Sequence, residues 1–328
     1  MNIITLPEKN INMNKLFLMK NPETFQGERF LSTNRNYFEG WYFKNTNSEY
    51  AISFIPGINI IGENKKAFIQ VITNDSSYFI NYSINDFKFS SNPFYIKIGN
   101  STFSKDSIHI DIRDDSQSIK IDGDIKYSNS MNIKTNFLKP NIMGPFSYVP
   151  FMECNHAILS MKSDANGEIS INNKKINFNS SIGYIEKDWG CSFPKSYTWC
   201  QGNDFKKSNA SLMLSIADIP FKLFSFRGVI CALIIDNKEF KFTTYNNAKI
   251  AQYNVTNNLL DITLKRGLYT LNIKSRYDEG LKLSAPVKGK MEKDILESIS
   301  SKITVVLKKD NTIIFSDVST NCGLEVVQ

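Results

Sequence analysis

Residues 107–127 read SIHIDIRDDSQSIKIDGDIKY. Isoleucine alternates with polar residues over 107–113 (SIHIDIR) and again over 118–127 (SIKIDGDIKY), with Asp114-Asp115-Ser116 written between them. A period of two marks a strand with one buried and one wet face, and acidic and small residues between two such runs mark a turn. The stretch therefore predicts an antiparallel hairpin and sets the expectation for the whole chain: an all-β, mainly antiparallel fold.

Upstream, 50–56 (YAISFIP), 67–73 (AFIQVIT) and 78–84 (YFINYSI) are short runs rich in Ile, Phe, Tyr and Val, separated by Pro56-Gly57 and Asn74-Asp75. Downstream, strands are predicted over 156–162, 168–178 with an Asn172-Asn173 turn, 196–205, 211–217, 222–235, 239–245, 259–265, 268–276, 302–308 and 312–318. Asp236-Asn237, Arg266-Gly267 and Asp310-Asn311 read as hairpin turns. Met291, Ile295, Leu296, Ile299 and Ile303 fall near helical spacing, which predicts one short C-terminal helix over 291–300. Residues 139–150 (KPNIMGPFSYVP) contain three prolines and a glycine and are taken as a domain boundary. Two β-barrel or sandwich domains packed together are expected, 1–145 and 146–328.

The chain has 328 residues, enough for two ordinary domains. Hydrophobic residues make up 41% and charged residues 22%, a globular balance rather than a disordered one. The net charge of +7 comes from Lys and Arg scattered singly or in pairs. Nucleic-acid recognition uses a clustered basic stripe, so that class is set aside; a mild attraction to anionic lipid surfaces, peripheral to a membrane, is compatible with the charge. The five cysteines, Cys154, Cys191, Cys200, Cys231 and Cys322, are odd in number and widely spaced. They point to reduced thiols in a cytoplasm rather than to a disulfide framework. The apolar patch at 16–19 is too short for a signal peptide, and no run approaches the roughly 18 apolar residues of a spanning helix. There is no GxGxxG, P-loop or HExxH, so phosphate-cradle and zinc-protease chemistry lack a motif.

The most information-dense stretch is 183–205, GYIEKDWGCSFPKSYTWCQGNDF. It holds two of the three tryptophans, the charged triplet Glu186-Lys187-Asp188 and the amides Gln201 and Asn203. Large rings are usually buried, so acid, base, acid and indole in succession read as the lining of a pocket. Alternation puts Glu186 and Asp188 on one side of an extended segment and Lys187 on the other.

Residues 37–44 (YFEGWYFK), 147–156 (SYVPFMECNH) and 183–205, in this order and spacing, resemble the tocopherol cyclase family. NPETFQG at 21–27, Ala285-Pro286 with Gly289-Lys290-Met291, and Gly323-Leu324-Glu325-Val326 extend the resemblance to about nine-tenths of the chain. It implies a pair of lipocalin-like β domains with an apolar cavity near their junction. Plant and cyanobacterial members close the chromanol ring of vitamin E from a prenylated quinol, and related lipocalin-like proteins hydrate carotenoids or assist cyclisations. The Asn, Lys and Ile excess resembles a low-GC bacterial proteome, so the reaction class carries over better than the substrate.

Ring closure of this kind needs a proton delivered to an isolated alkene, a shielded cation and a phenol held close enough to lose its proton. It requires no redox cofactor and no metal. The proton donor should be a carboxyl kept protonated by burial, which disfavours the charged form; Asp188 is favoured because it adjoins Trp189, with Glu186, Glu153 and Glu39 as the other candidate acids. The competing reading is a structural carboxylate paired with Lys187 or Arg227. His156 is the candidate base for the phenol proton, while His109 reads as a surface strand residue. Trp41, Trp189 and Trp199 are candidate cation shields, worth about 0.5 to 2 kcal/mol each, or else core filling. Lys44, Lys187, Gln201 and Asn203 are candidate contacts to a polar head group. Cys154, His156, Cys191 and Cys200 form a rival zinc set that fits no common spacing. Two functions follow: a cofactor-independent cyclase or hydratase acting on a prenylated or isoprenoid apolar small molecule, or a non-catalytic carrier of such a ligand.

Overall fold

The structure is a computed structural model and describes residues 15–149, 152–221, 224–256, 258–277 and 280–328. Residue 150 of the proline-rich segment and residues 222 and 223 of the strand expected over 222–235 lie outside the described residues, as does the N-terminal stretch before residue 15. The patch at 16–19 falls in a short helix, α1 (Lys15–Lys20). No described helix is long and apolar enough to cross a membrane.

The chain forms two compact units, one running up to Phe193 and including Leu283–Asp294, the other made of Pro194–Lys282 and Ile295–Gln328. The first carries β1 (Tyr37–Thr46), β2 (Ala51–Ile61), β3 (Asn64–Thr73), β4 (Ser77–Ser83), β5 (Phe87–Ser91), β6 (Phe94–Ile98), β7 (Ser101–Phe103), β8 (Ser107–Asp114), β9 (Ile119–Met131), β10 (Cys154–Ile171), β11 (Lys174–Asn177) and β12 (Ser181–Gly190). They form one sheet in the order β4-β3-β2-β1-β12-β10-β9-β8-β7-β6-β5, with β11 added to β10. The second sheet is built from β13 (Tyr197–Gly202), β14 (Asp204–Phe205), β15 (Ala210–Phe221), β16 (Phe224–Ile235), β17 (Lys238–Thr243), β18 (Lys249–Thr256), β19 (Leu259–Arg266), β20 (Tyr269–Arg276), β21 (Leu281–Val287), β22 (Lys290–Lys309) and β23 (Thr312–Val327). Its order is β17-β16-β15-β13-β23-β22-β20-β19-β18, with β14 on β23 and β21 on β22. The expected antiparallel all-β fold is present.

The 107–127 hairpin forms as read. Ile108, Ile110 and Ile112 of β8 are buried while Ser107, His109 and Arg113 are exposed. Burying an isoleucine side chain is worth about 1.5–3 kcal/mol, so three on one face fix the register. The Asp114 side chain accepts from the backbone N–H of Ser116 at 2.9 Å and of Gln117 at 3.3 Å, and Ser118 takes φ 51° to re-enter β9. Asn172-Asn173, Asp236-Asn237 and Asp310-Asn311 all have positive φ at both residues and close two-residue hairpins.

Two expectations are corrected. The boundary expected at 145/146 falls inside the first unit. Gly144–Tyr148 is a short 3-10 turn within the connection from β9 to β10, and these two strands pair with each other. Proline stops strand pairing there without ending a domain. The helix expected over 291–300 is part of β22. Ile295, Ile299 and Ile303 are four apart, a spacing that a strand satisfies as well as a helix; Glu297 and Ser301 between them are buried too, whereas Leu296 is 44% exposed.

Candidate active site

β12 lies between β1 and β10 in the first sheet. Asp188 faces His156 on β10 and Gly40 on β1; Glu186 faces Ile158 and Tyr42. Strand alternation sends Ile185, Lys187 and Trp189 to the hydrophobic core side, and Tyr184, Glu186 and Asp188 to the other face. Neither face is wet: nine of the ten residues of β1 are buried. That is why EGWYFK carries no alternation of polarity.

On the acid-bearing face the imidazole of His156 sits between two carboxylates. Its Nδ1 is 2.9 Å from Asp188 Oδ1 and its Nε2 is 3.5 Å from Glu186 Oε2. The Tyr184 hydroxyl donates to Glu186 Oε2 at 2.5 Å, and the Cys154 thiol donates to Asp188 Oδ1 at 3.6 Å. The backbone N–H of His156 points to Met143 Sδ at 3.1 Å. Side-chain exposure rises from 7% at Glu186 through 12% at His156 to 24% at Asp188, so the cluster opens towards Asp188. Burial, reinforced by Glu186, pushes the Tyr184 phenol well up; burial, reinforced by Asp188, does the same to the Cys154 thiol. Both side chains therefore stay protonated and act as donors to the carboxylates.

The donor atoms of His156, Glu186 and Asp188 lie within 4.8 Å of one another, close enough to hold a metal ion. The two carboxylates, however, address opposite nitrogens of the one ring. The arrangement also suits proton transfer through the imidazole, since one nitrogen can take a proton while the other releases one.

The opposite face of the same strands holds a second cluster. The Lys187 ammonium pairs with the Glu39 carboxylate, and both side chains are fully buried. It also donates to the carbonyls of Pro22 at 2.8 Å and Thr24 at 2.6 Å, and lies 4.6 Å from the Trp41 ring centroid and 5.0 Å from that of Trp189. Glu39 further accepts from the Gln26 backbone N–H at 2.8 Å and the Tyr37 hydroxyl at 2.6 Å. Burial pushes Glu39 up and Lys187 down, and the attraction between them opposes both shifts. The Trp41 indole N–H donates to the Glu23 carbonyl at 2.8 Å. Residues 21–27, NPETFQG, are thus clamped to the core by a satisfied ion pair and an indole.

A profile of the family described as tocopherol cyclase-like matches residues 114–327. The chain belongs to this family. Its lipocalin-like fold is shared with solved structures of low identity, and at such identities the likeness is one of fold. CghA, crystallised with Sch210972, is 9% identical, with 89% of this chain and 88% of that chain covered and a TM-score of 0.54. A protein assigned as AttH (NE1406) from Nitrosomonas europaea is 12% identical over 99% of each chain, with a TM-score of 0.53. Kievitone hydratase from Nectria haematococca is 13% identical over 93% of each chain, with a TM-score of 0.50. A search of curated proteins returns no match.

In this member of the tocopherol cyclase-like family the expected site residues divide. His156, Glu186 and Asp188 come together. Lys44 faces Tyr184 across the β1–β12 pairing, on the acid-bearing face. Glu39, Trp41, Lys187 and Trp189, expected to line the same pocket, lie on the core side instead. Trp189 adjoins Asp188 in sequence, and in a strand that places it on the opposite face. The alternative pairing of Asp188 with Lys187 or Arg227 does not form, because Lys187 pairs with Glu39 and Arg227 with Asp218 at 2.8 Å. Glu153 is exposed and contributes its backbone carbonyl to the N–H groups of Cys191 and Ser192. Trp199, Gln201 and Asn203 belong to the second unit, where Trp199 and Gln201 lie on β13 and all three are buried. The four-residue zinc set is not assembled among the described residues; Cys200 is packed in the hydrophobic core of the second unit. Tyr184 was passed over in the sequence, although its place two residues before Glu186 puts both on one strand face.

Proposed function

We propose that the chain is an enzyme whose His156–Glu186–Asp188 cluster catalyses cyclisation or hydration of an apolar, prenylated or isoprenoid alkene without a cofactor. A protonated member of the cluster delivers H⁺ to one alkene carbon. The oxygen of a substrate hydroxyl, or of water, bonds to the other carbon. That oxygen returns its proton to the cluster, which ends the cycle as it began. The observation that carries this reading is the imidazole held between two carboxylates, one on each nitrogen. It links a site that gives a proton to a site that takes one. The family to which the chain belongs, and the name of the hydratase that shares its fold, agree with addition across a double bond. A carrier of an isoprenoid ligand would have no use for two carboxylates flanking one half-buried imidazole. A cytoplasmic location, with the membrane surface as a source of apolar substrate, belongs to the same proposal.

Incubation with a prenylated hydroquinone in D₂O tests it. The wild-type product should carry one deuterium on carbon, and Asp188→Asn should lower turnover by about 10²-fold while leaving ligand binding intact. Undiminished turnover in Asp188→Asn removes the acid–base role. Binding with no product from the wild type favours the carrier.

A further inference from the structure

Asp188 is the first residue of a cross-strand row that has no side chains at its next two positions. It faces Gly40 on β1, Gly40 faces Gly57 on β2, and Gly57 faces Phe68 on β3. Glycine inside a strand weakens it, and its usual reasons are a bulge, a special backbone angle or the close approach of another group. Gly57 has such a reason: a Cβ there would lie 2.5 Å from Phe68 Cζ and 2.7 Å from the Glu39 carbonyl oxygen. The Phe68 ring covers the bare backbone and stacks on Phe79 at 5.2 Å.

Gly40 has none of these reasons. The β1–β12 register runs through it without a shift, and its φ is not in the left-handed region. A Cβ would meet nothing closer than Ile55 Cγ2 and the Pro56 carbonyl oxygen, both at 3.8 Å. It is also the one residue of β1 that is not buried. Gly40 is thus the most solvent-accessible residue of the strand, directly beside the most exposed member of the His156–Glu186–Asp188 cluster. Phe38 and Tyr42 lie two residues to either side on the same face.

We infer that Gly40 is a specificity-determining position: its bare backbone is the floor on which a flat, unsaturated ring of the substrate lies, with a ring hydroxyl directed to Asp188. The neighbouring glycine shows the mode of packing, since Gly57 already seats a flat ring supplied by the protein. The inference rests on the reading of the acid cluster as the reacting site, and its test is separable from that reading.

Two probes of the same carbon skeleton decide it: 2-naphthol, which is flat, and decahydro-2-naphthol, which is puckered. Their affinities are measured by ligand-observed NMR titration on the wild type, Gly40→Ala, Gly40→Val and Asp188→Asn. The wild type should prefer 2-naphthol. Gly40→Val should weaken 2-naphthol about tenfold or more, the scale at which added bulk in a pocket discriminates, with a smaller loss in Gly40→Ala. The puckered probe should change by less than about threefold. Valine suits a strand, so its melting temperature should hold; if it falls, Gly40→Ala carries the test, because one methyl group fits the 3.8 Å space. Equal losses for both probes, no loss in either variant, or no binding of 2-naphthol to the wild type overturns the inference. Unchanged turnover in Asp188→Asn with the Gly40 effects intact removes the acid–base reading alone.

Discussion

Lys187 Nζ has three oxygen acceptors and two indole faces around it, while its neighbours Glu186 and Asp188 turn to the opposite side of the strand. A buried pair of this kind is strongly destabilising to break, because one charge is left without its partner. Lys187→Met should cost about 3–5 kcal/mol in urea unfolding, and the double variant Glu39→Gln/Lys187→Met should recover part of that loss. A single variant as stable as the wild type would show that the pair is dispensable. At this scale the sequence was half legible. The triplet Glu-Lys-Asp announces its own alternation, which is why the two acids were expected on one side. Which side was the core could not be read, because β1 and β12 are covered on both faces and carry no polar stripe. Trp189 was assigned to Asp188 by adjacency, when adjacency in a strand is separation.

Hairpins were the most legible elements. Asn172-Asn173, Asp236-Asn237 and Asp310-Asn311 take positive φ at both positions, and each of the three closes a two-residue turn. β22 was the least legible. Its isoleucines recur every four residues, and the buried polar residues between them, Glu297 and Ser301, disguise the period of two. The two geometries make opposite demands. On a helix, residues 296 and 299 would share a face; on β22 they lie on opposite faces. Leu296→Lys should therefore change stability by no more than about 0.5 kcal/mol, as at an exposed site. Ile299→Lys, which puts a charge where exposure is 2%, should unfold the second unit in thermal melts. Similar costs at both positions would count against the strand.

Across the whole molecule, buried tyrosines contribute to the alkaline limit together with the buried thiols of Cys154, Cys200 and Cys231, which burial also pushes up. Burial pushes the phenols of Tyr37, Tyr127 and Tyr184 up, and it raises Tyr82 to about 12, with Asp111, Asp114 and Asp86 adding to the effect. The folded chain holds these protons more tightly than the unfolded chain does. Their contribution to stability is complete below the unfolded value of about 10. Above it the unfolded state binds fewer protons, so stability falls as pH rises. Urea midpoints should decline between about pH 10 and 12, with tyrosinate absorbance lagging until unfolding; a flat midpoint over that range would contradict the buried phenols. The division of the chain into units was not legible, because the first unit is discontinuous. Its hairpin 283–294 docks through Ser284, whose backbone exchanges hydrogen bonds of 2.9 and 3.0 Å with the Gln70 amide, and through Gly289 N–H, which donates to the Cys191 carbonyl at 2.7 Å. This order matters during synthesis. When Phe193 leaves the ribosome, Gln70 and the end of β12 still lack partners encoded beyond residue 282. At translation speeds of roughly 5–20 residues per second they wait about 5 to 18 seconds, so the strand that carries the acids is braced only after the whole Pro194–Lys282 segment of the second unit has been made.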